Sequence, residues 1–184
     1  GFYPVFGYFN PSTNHPAMSD DEDTWPQMGW PSTGNNTKWE GFWDGRFGKG
    51  VAYADLETYF VVNDAMDHEH IISDEVRYYP RPNEKIQSDA SIQENMDWGG
   101  LGLRIEVRGF QWNNPLVRDA LFWEYNISNI SDHDITETSF GYWVDNAIGS
   151  EGSTDDEVGY FDTYLDLSYS WDFDGIGIGG STPG

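Results

Sequence analysis

The side chains best suited to chemistry in this sequence are carboxylates at short spacing in its last forty residues. Calcium takes six to eight oxygen ligands from carboxylates, amides, carbonyls and water. Two groups of residues have this composition. The first is Asp145, Asn146, Asp155, Asp156 and Asp162, with three glycines between them, and the second is Asp172 and Asp174. The prediction is Ca²⁺ at both, and the alternative is that Asp and Gly fill turns.

Other residue types offer weaker candidates. Trp39, Trp43 and Trp98 lie in polar, glycine-rich stretches and could stack on a sugar, although the favoured interpretation is that they cover a sheet as core. His68 and His70 could bind a transition metal, but a solvated loop is favoured there. The sequence has no nucleophile elbow, His-Glu-x-x-His motif or phosphate loop, and we predict no enzymatic activity.

Composition narrows the class of protein. The 184 residues carry 32 acidic and 9 basic side chains, a net charge of −23, which opposes binding to nucleic acid. Aromatic residues make up 17% of the chain, which favours a folded domain over acidic disorder. There is no cysteine and no apolar run long enough to insert into a membrane. In the absence of disulfides, a bound metal ion is expected to stabilise the fold.

Alternating apolar and polar residues predict strands in the second half of the chain. Leu103, Ile105 and Val107 are expected to be buried. The predicted strands are 101–112, 119–130, 138–145 and 164–171. Further residues expected to be buried are Tyr142, Val144, Leu167 and Tyr169. A short earlier strand is predicted at 58–62. Consecutive strands of this kind form an antiparallel sheet.

The first fifty residues have a different pattern. They are rich in proline and tryptophan and lack periodicity, so we expect a long irregular wrap over residues 1–50 that packs on a β domain at 51–184. The predicted fold class is all-β, an antiparallel β-sandwich or jelly-roll-like sheet with this wrap. The whole is expected to be one domain excised from a larger protein.

Topology then places the acidic residues. If strands 138–145 and 164–171 pair antiparallel, the loop from Asp145 to Asp162 lies at one end of the sheet. Asp172 and Asp174 lie at the opposite end, about 26 Å away across an eight-residue strand. The two calcium sites are therefore expected to be separate.

Longer motifs resemble a group of large secreted proteins of Bacteroidota-like bacteria, many of which end in a type IX secretion sorting signal. The resemblance covers residues 39–175. Its clearest motifs are Gly100-Leu-Gly-Leu-Arg-Ile-Glu-Val-Arg-Gly-Phe-Gln-Trp112, Phe122-Trp-Glu-Tyr-Asn-Ile-Ser-Asn129, Phe140-Gly-Tyr-Trp-Val-Asp145 and Leu165-Asp-Leu-Ser-Tyr-Ser-Trp-Asp-Phe-Asp-Gly175. The likeness implies an extracellular or cell-surface address and a β-rich module followed by further modules, but no particular chemistry.

Three functions are compatible with these observations. The preferred hypothesis is a non-catalytic, calcium-stabilised structural or adhesive module, whose partners are neighbouring modules of the same protein or other copies of it. The first alternative is a carbohydrate-binding module with a polysaccharide as partner, and the second is an accessory part of a secreted hydrolase.

Overall fold

The fold is described by a computed structural model for residues 1–5, 8, 10, 12–26, 41–65, 67, 100–144 and 157–173. The chain divides into two compact units, Gly1–Thr136 and Glu137–Gly184. The described residues form antiparallel strands and one short 3-10 turn, which confirms the predicted all-β class. The sandwich or jelly-roll form and the domain boundary after residue 50 stay predictions.

The described residues of the first unit form seven strands. They are β1 Tyr3–Pro4, β2 Ala17–Met18, β3 Asp44–Gly45, β4 Gly48–Lys49, β5 Leu56–Asn63, β6 Leu103–Gln111 and β7 Phe122–Asn129. The main sheet has the order β1-β5-β6-β7, and β2 also pairs with β5. Strands β3 and β4 form a small separate ribbon.

Strands β5, β6 and β7 are the elements that the sequence predicts best. Their residues are largely β-branched or aromatic on one face, and such side chains pack well on a pleated surface. The predicted ranges 58–62, 101–112 and 119–130 each contain or fall within the observed strand. These three strands are therefore confirmed to within a few residues at their ends.

The two faces of this sheet differ in chemistry. One face, which we call the wrapped face, carries Glu57, Tyr59, Val61 and Asn63 of β5, each at most 1% exposed. By register, its neighbours on β6 are Phe110, Arg108, Glu106 and Arg104. The opposite face, which we call the open face, carries apolar cross-strand neighbours such as Phe60, Val107 and Tyr125.

The early part of the chain covers the wrapped face. Its buried core consists of Val5, Tyr8, Ala17, Trp25 and Trp43 together with Tyr59 and Val61. The indoles of Trp25 and Trp43 lie 5.9 Å apart, and Tyr8 meets Tyr59 edge to face at 6.3 Å. The described residues of the first fifty thus supply most of this core, although they form only two-residue strands.

The second unit contains one hairpin among its described residues, β8 Glu157–Asp162 and β9 Leu167–Asp172. The predicted strand at 164–171 corresponds to β9, but its partner is β8 and not 138–145. The predicted strand at 138–145 is wrong for its described residues 138–144, which have no regular secondary structure. An alternating pattern permits an extended chain, but a strand also needs a hydrogen-bonding neighbour, and no described strand pairs with this segment.

The predictions of side-chain burial also fare differently in the two units. Val107 is 3% exposed as predicted, and Leu103 and Ile105 are half-buried. The prediction of burial is wrong for four residues of the second unit. They are Tyr142, Val144, Leu167 and Tyr169, which are 46–68% exposed. A two-stranded hairpin has too little surface to bury both of its faces.

A buried aspartate joins β5 to β6. The carboxylate of Asp64 accepts the backbone N–H groups of Leu101 at 2.7 Å and Leu103 at 2.9 Å. Gly102 lies between them with a φ of +79°, and its carbonyl accepts the N–H of Ile130 at 2.8 Å. The segment from Leu101 to Leu103 therefore ties the start of β6 both to the end of β5 and to the end of β7.

Replacing Gly102 by Ala should destabilise the first unit by about 2–4 kcal/mol, because the left-handed φ strains an L residue. The added Cβ would also lie 2.5 Å from the Cβ of Ser131. Urea unfolding should show this loss, whereas Gly141→Ala, which has open space around it, should change stability by less than about 0.5 kcal/mol. Equal stability of the two variants would contradict the described geometry.

Candidate functional site

The predicted calcium ligands fall mostly outside the described residues. Two of the seven are described, Asp162 and Asp172. The other five, Asp145, Asn146, Asp155, Asp156 and Asp174, lie outside, as do His68 and His70. Within the described part of the chain, no group of three or more His, Cys, Asp or Glu side chains is placed to hold a metal ion. The calcium sites therefore stay predictions.

Asp162 closes the hairpin of the second unit. It is the last residue of β8, and its Oδ1 accepts the backbone N–H groups of Tyr164 at 2.8 Å and Leu165 at 3.0 Å. A carboxylate that binds the backbone two and three residues onward stabilises a turn. The turn interpretation therefore has direct support at this residue.

Asp172 lies at the other end of the same hairpin. It is 7% exposed and is the cross-strand neighbour of Glu157, the first residue of β8. A six-residue strand spans roughly 17 Å, which separates this pair from Asp162. The structure thus places Glu157 and Asp172 side by side on one face, a juxtaposition that the sequence prediction missed because it assigned Glu157 to a loop.

A pocket of about 290 Å³ lies on this hairpin. Three of its lining residues, Glu157, Ser168 and Ser170, carry side-chain oxygens and share the face that holds Asp172. Gly159 and Val144 also line it. Carboxylate and hydroxyl oxygens beside an open pocket are hard ligands of the kind that calcium takes, together with water.

A second group of charges is buried in the first unit around Glu57, which is 0% exposed. Trp43 Nε1 donates to Glu57 Oε2 at 2.7 Å, and the backbone N–H of Tyr53 donates to Oε1. Arg108 Nη1 lies 3.8 Å from Oε2. The backbone of Glu57 also exchanges hydrogen bonds with Ser19, whose Oγ accepts at 2.9 Å and whose N–H donates at 2.9 Å.

Arg108 links this carboxylate to the rest of the wrapped face. Its Nη2 donates to the backbone carbonyl of Asp44 at 2.8 Å, and its guanidinium lies 4.4 Å from the ring centre of Tyr59. Burial raises the pKa of Tyr59 well above its usual range; Glu106 adds to this rise, and the nearby arginines oppose it. The Glu57 carboxylate is enclosed by protein donors, so its role is structural.

Of the three tryptophans considered for sugar stacking, Trp43 is described. Trp43 is 4% exposed, packs against Trp25 and donates to Glu57, so it belongs to the core and its faces are not open to a sugar ring. This agrees with the favoured interpretation of the sequence. Trp39 and Trp98 lie outside the described residues.

A different aromatic group is exposed at the end of the main sheet. Phe47, Tyr53 and Phe122 are 44–63% exposed and surround the half-buried Trp112, with Phe110 buried beneath. Neighbouring ring centres are 4.8–6.1 Å apart. We call these five rings the end patch. Sequence reasoning missed it because the rings come from three separate segments.

Comparisons of the chain with family models, with curated proteins and with solved structures found no match. No helix among the described residues has the length and apolar character needed to cross a membrane.

Replacing Glu57 by Gln should cost about 3 kcal/mol of stability, because it removes the buried counter-charge of Arg108 and places an amide where the carboxylate accepts two N–H groups. Glu124→Gln is the matched control, since Glu124 pairs with Arg46 at 2.5 Å but is 42% exposed. That variant should lose less than about 1 kcal/mol in urea unfolding. Similar losses in the two variants would show that the burial of Glu57 does not determine its contribution to the free energy of unfolding.

Proposed function

We propose that this chain is a non-catalytic, calcium-stabilised structural module of a larger secreted or cell-surface protein, and that it docks a neighbouring module on the open face of its main sheet. The extracellular address is supported by the resemblance of residues 39–175 to secreted bacterial proteins. The net charge of −23 supports a partner other than nucleic acid.

The observation that carries this proposal is the unequal treatment of the two sheet faces. On β5 the wrapped face is buried, with Glu57, Tyr59, Val61 and Asn63 at most 1% exposed. On the open face Val107 of β6 is buried, and exposure is largest on β7, where Trp123, Tyr125 and Ile127 are 47%, 37% and 39% exposed. A row of half-exposed apolar side chains on one face marks an interaction surface.

The size of this row favours a partner on the same polypeptide. Each half-exposed side chain offers on the order of 100 Å² of apolar surface, since an aromatic side chain buries 150–250 Å² in full. Three such side chains supply well under the roughly 800 Å² per partner of a stable interface between separate proteins. A tethered module needs less area, because its effective concentration at the surface is high.

Hydroxyl-radical labelling tests this docking. In the intact secreted protein, Trp123 and Tyr125 should react several-fold more slowly than in this chain alone, because the docked module excludes water from them. Tyr164, which is 92% exposed at a turn, should react alike in both. Equal labelling of Trp123 in the two proteins would contradict a docked neighbour.

The calcium part of the proposal is supported by the charges of the second unit. Residues 137–184 contain ten Asp and Glu residues and no Lys, Arg or His. Within this unit, Glu157 and Asp172 are cross-strand neighbours, and like charges in that position destabilise a hairpin. The oxygen-bearing pocket beside them offers a place for the cation that would relieve this repulsion.

Removal of calcium should therefore lower the melting temperature. A ligand bound only to the folded state adds about 2.7 kcal/mol at a hundredfold excess over its Kd. This corresponds to about 5–10 °C for a chain of this size. EDTA should produce that fall, and calcium should restore the melting temperature better than magnesium, which gives up its water reluctantly.

Variants locate the ion within the hairpin. Glu157→Gln with Asp172→Asn should abolish the difference between calcium and EDTA. Asp162→Asn is the control, because it weakens the turn at the other end and should lower the melting temperature equally with and without calcium. A calcium effect that survives the first pair of changes would place the ion elsewhere. Identical melting curves of the parent chain in calcium and EDTA would contradict calcium binding and favour the alternative that the Asp and Gly residues fill turns.

A further inference from the structure

The end patch combines exposed rings with a polar rim. Arg46 stacks 5.6 Å from the ring centre of Phe47 and pairs with Glu124 at 2.5 Å, both side chains of the ion pair being nearly half exposed. On the other side, Asp55 Oδ2 accepts the backbone N–H of Asn113 at 2.7 Å. The rim thus offers carboxylate acceptors as well as guanidinium and amide donors around an apolar centre.

The rings are held in place before any ligand arrives. Trp112 Nε1 donates to the carbonyl of Tyr53 at 3.3 Å, and Tyr53 meets three neighbouring rings nearly at right angles. Phe110 anchors the group from the buried side. A preformed surface of this kind loses little conformational entropy on binding, which favours recognition of a ligand over collapse of the rings.

We infer that the end patch binds a neutral carbohydrate chain. A sugar ring presents an apolar C–H face that packs on aromatic rings, and its hydroxyl groups both donate and accept hydrogen bonds. A rim that mixes Glu124 and Asp55 with Arg46 meets both requirements. The net charge of −23 opposes polysaccharides that carry carboxylate or sulfate groups. This inference does not depend on the docking of a neighbouring module.

The same rim disfavours two other occupants. A proline-rich peptide also packs on aromatic grooves, but its exposed main-chain groups are mostly carbonyl acceptors. Carboxylates cannot donate to them, so Glu124 and Asp55 would gain no hydrogen bond from such a peptide. A second copy of the chain would bring a surface of the same negative charge against this one.

Affinity electrophoresis in gels that contain a soluble neutral polysaccharide tests the inference. The panel consists of hydroxyethyl cellulose, xylan, galactomannan and laminarin, with alginate as the anionic comparison. At least one neutral polymer should retard the chain, and alginate should not. The double change Phe47→Ser with Phe122→Ser should weaken retardation at least about tenfold. Phe161→Ser, at an equally exposed phenylalanine of β8, should leave it unchanged.

A second variant separates the rim from the rings. Asp55→Asn with Glu124→Gln keeps their shape and should also weaken retardation by the same neutral polymer, with an unchanged circular dichroism spectrum. The inference is overturned if no neutral polymer retards the chain, or if the ring variants bind as well as the parent. It is also overturned if poly-L-proline binds in place of the polysaccharides, or if sedimentation shows self-association that the ring variants abolish.

Discussion

The buried carboxylate of Glu57 is the constraint on which the first unit depends. A carboxylate removed from water must be met by donors and counter-charge, or its burial costs several kcal/mol. Here the donors are Trp43 of the wrap and the backbone N–H of Tyr53, and the counter-charge comes from Arg108 of β6. The wrap therefore cannot leave the sheet without exposing a charged group that is arranged for a dry site. This explains how a segment with only two-residue strands holds a fixed position.

The same constraint decides which face of the sheet is left for partners. Because the wrap closes over the row of β5 that holds Glu57, Tyr59, Val61 and Asn63, it cannot also cover the row of Phe60 and Val62 on the opposite face. Trp123 and Ile127 of β7, which are 47% and 39% exposed, lie on that opposite face. The covered face also holds the hydrophobic core, in which Tyr59 and Val61 lie with Val5, Trp25 and Trp43 of the wrap.

The sequence pattern located the strands better than it located their environment. Alternation at β6 and β7 identified both strands, because side chains on a strand point to opposite faces in turn. It did not predict that Glu57 lies on the covered side, since its partners come from residues 43, 53 and 108. It also failed at 138–144, where alternation exists without a neighbouring strand. The placement of Glu157 beside Asp172 required the register of β8 against β9, which no local pattern encodes.

Charge is balanced differently in the two units. In the first, each of the four described arginines lies within 4 Å of a carboxylate. The paired carboxylates are those of Glu57, Glu106, Glu124 and Asp119. The second has ten acids and no basic residue of its own. Dissolved salt screens charges that are about 10 Å or more apart, but cross-strand neighbours such as Glu157 and Asp172 lie closer than that. A cation bound near this pair, as proposed for calcium, would reduce the repulsion between the two carboxylates.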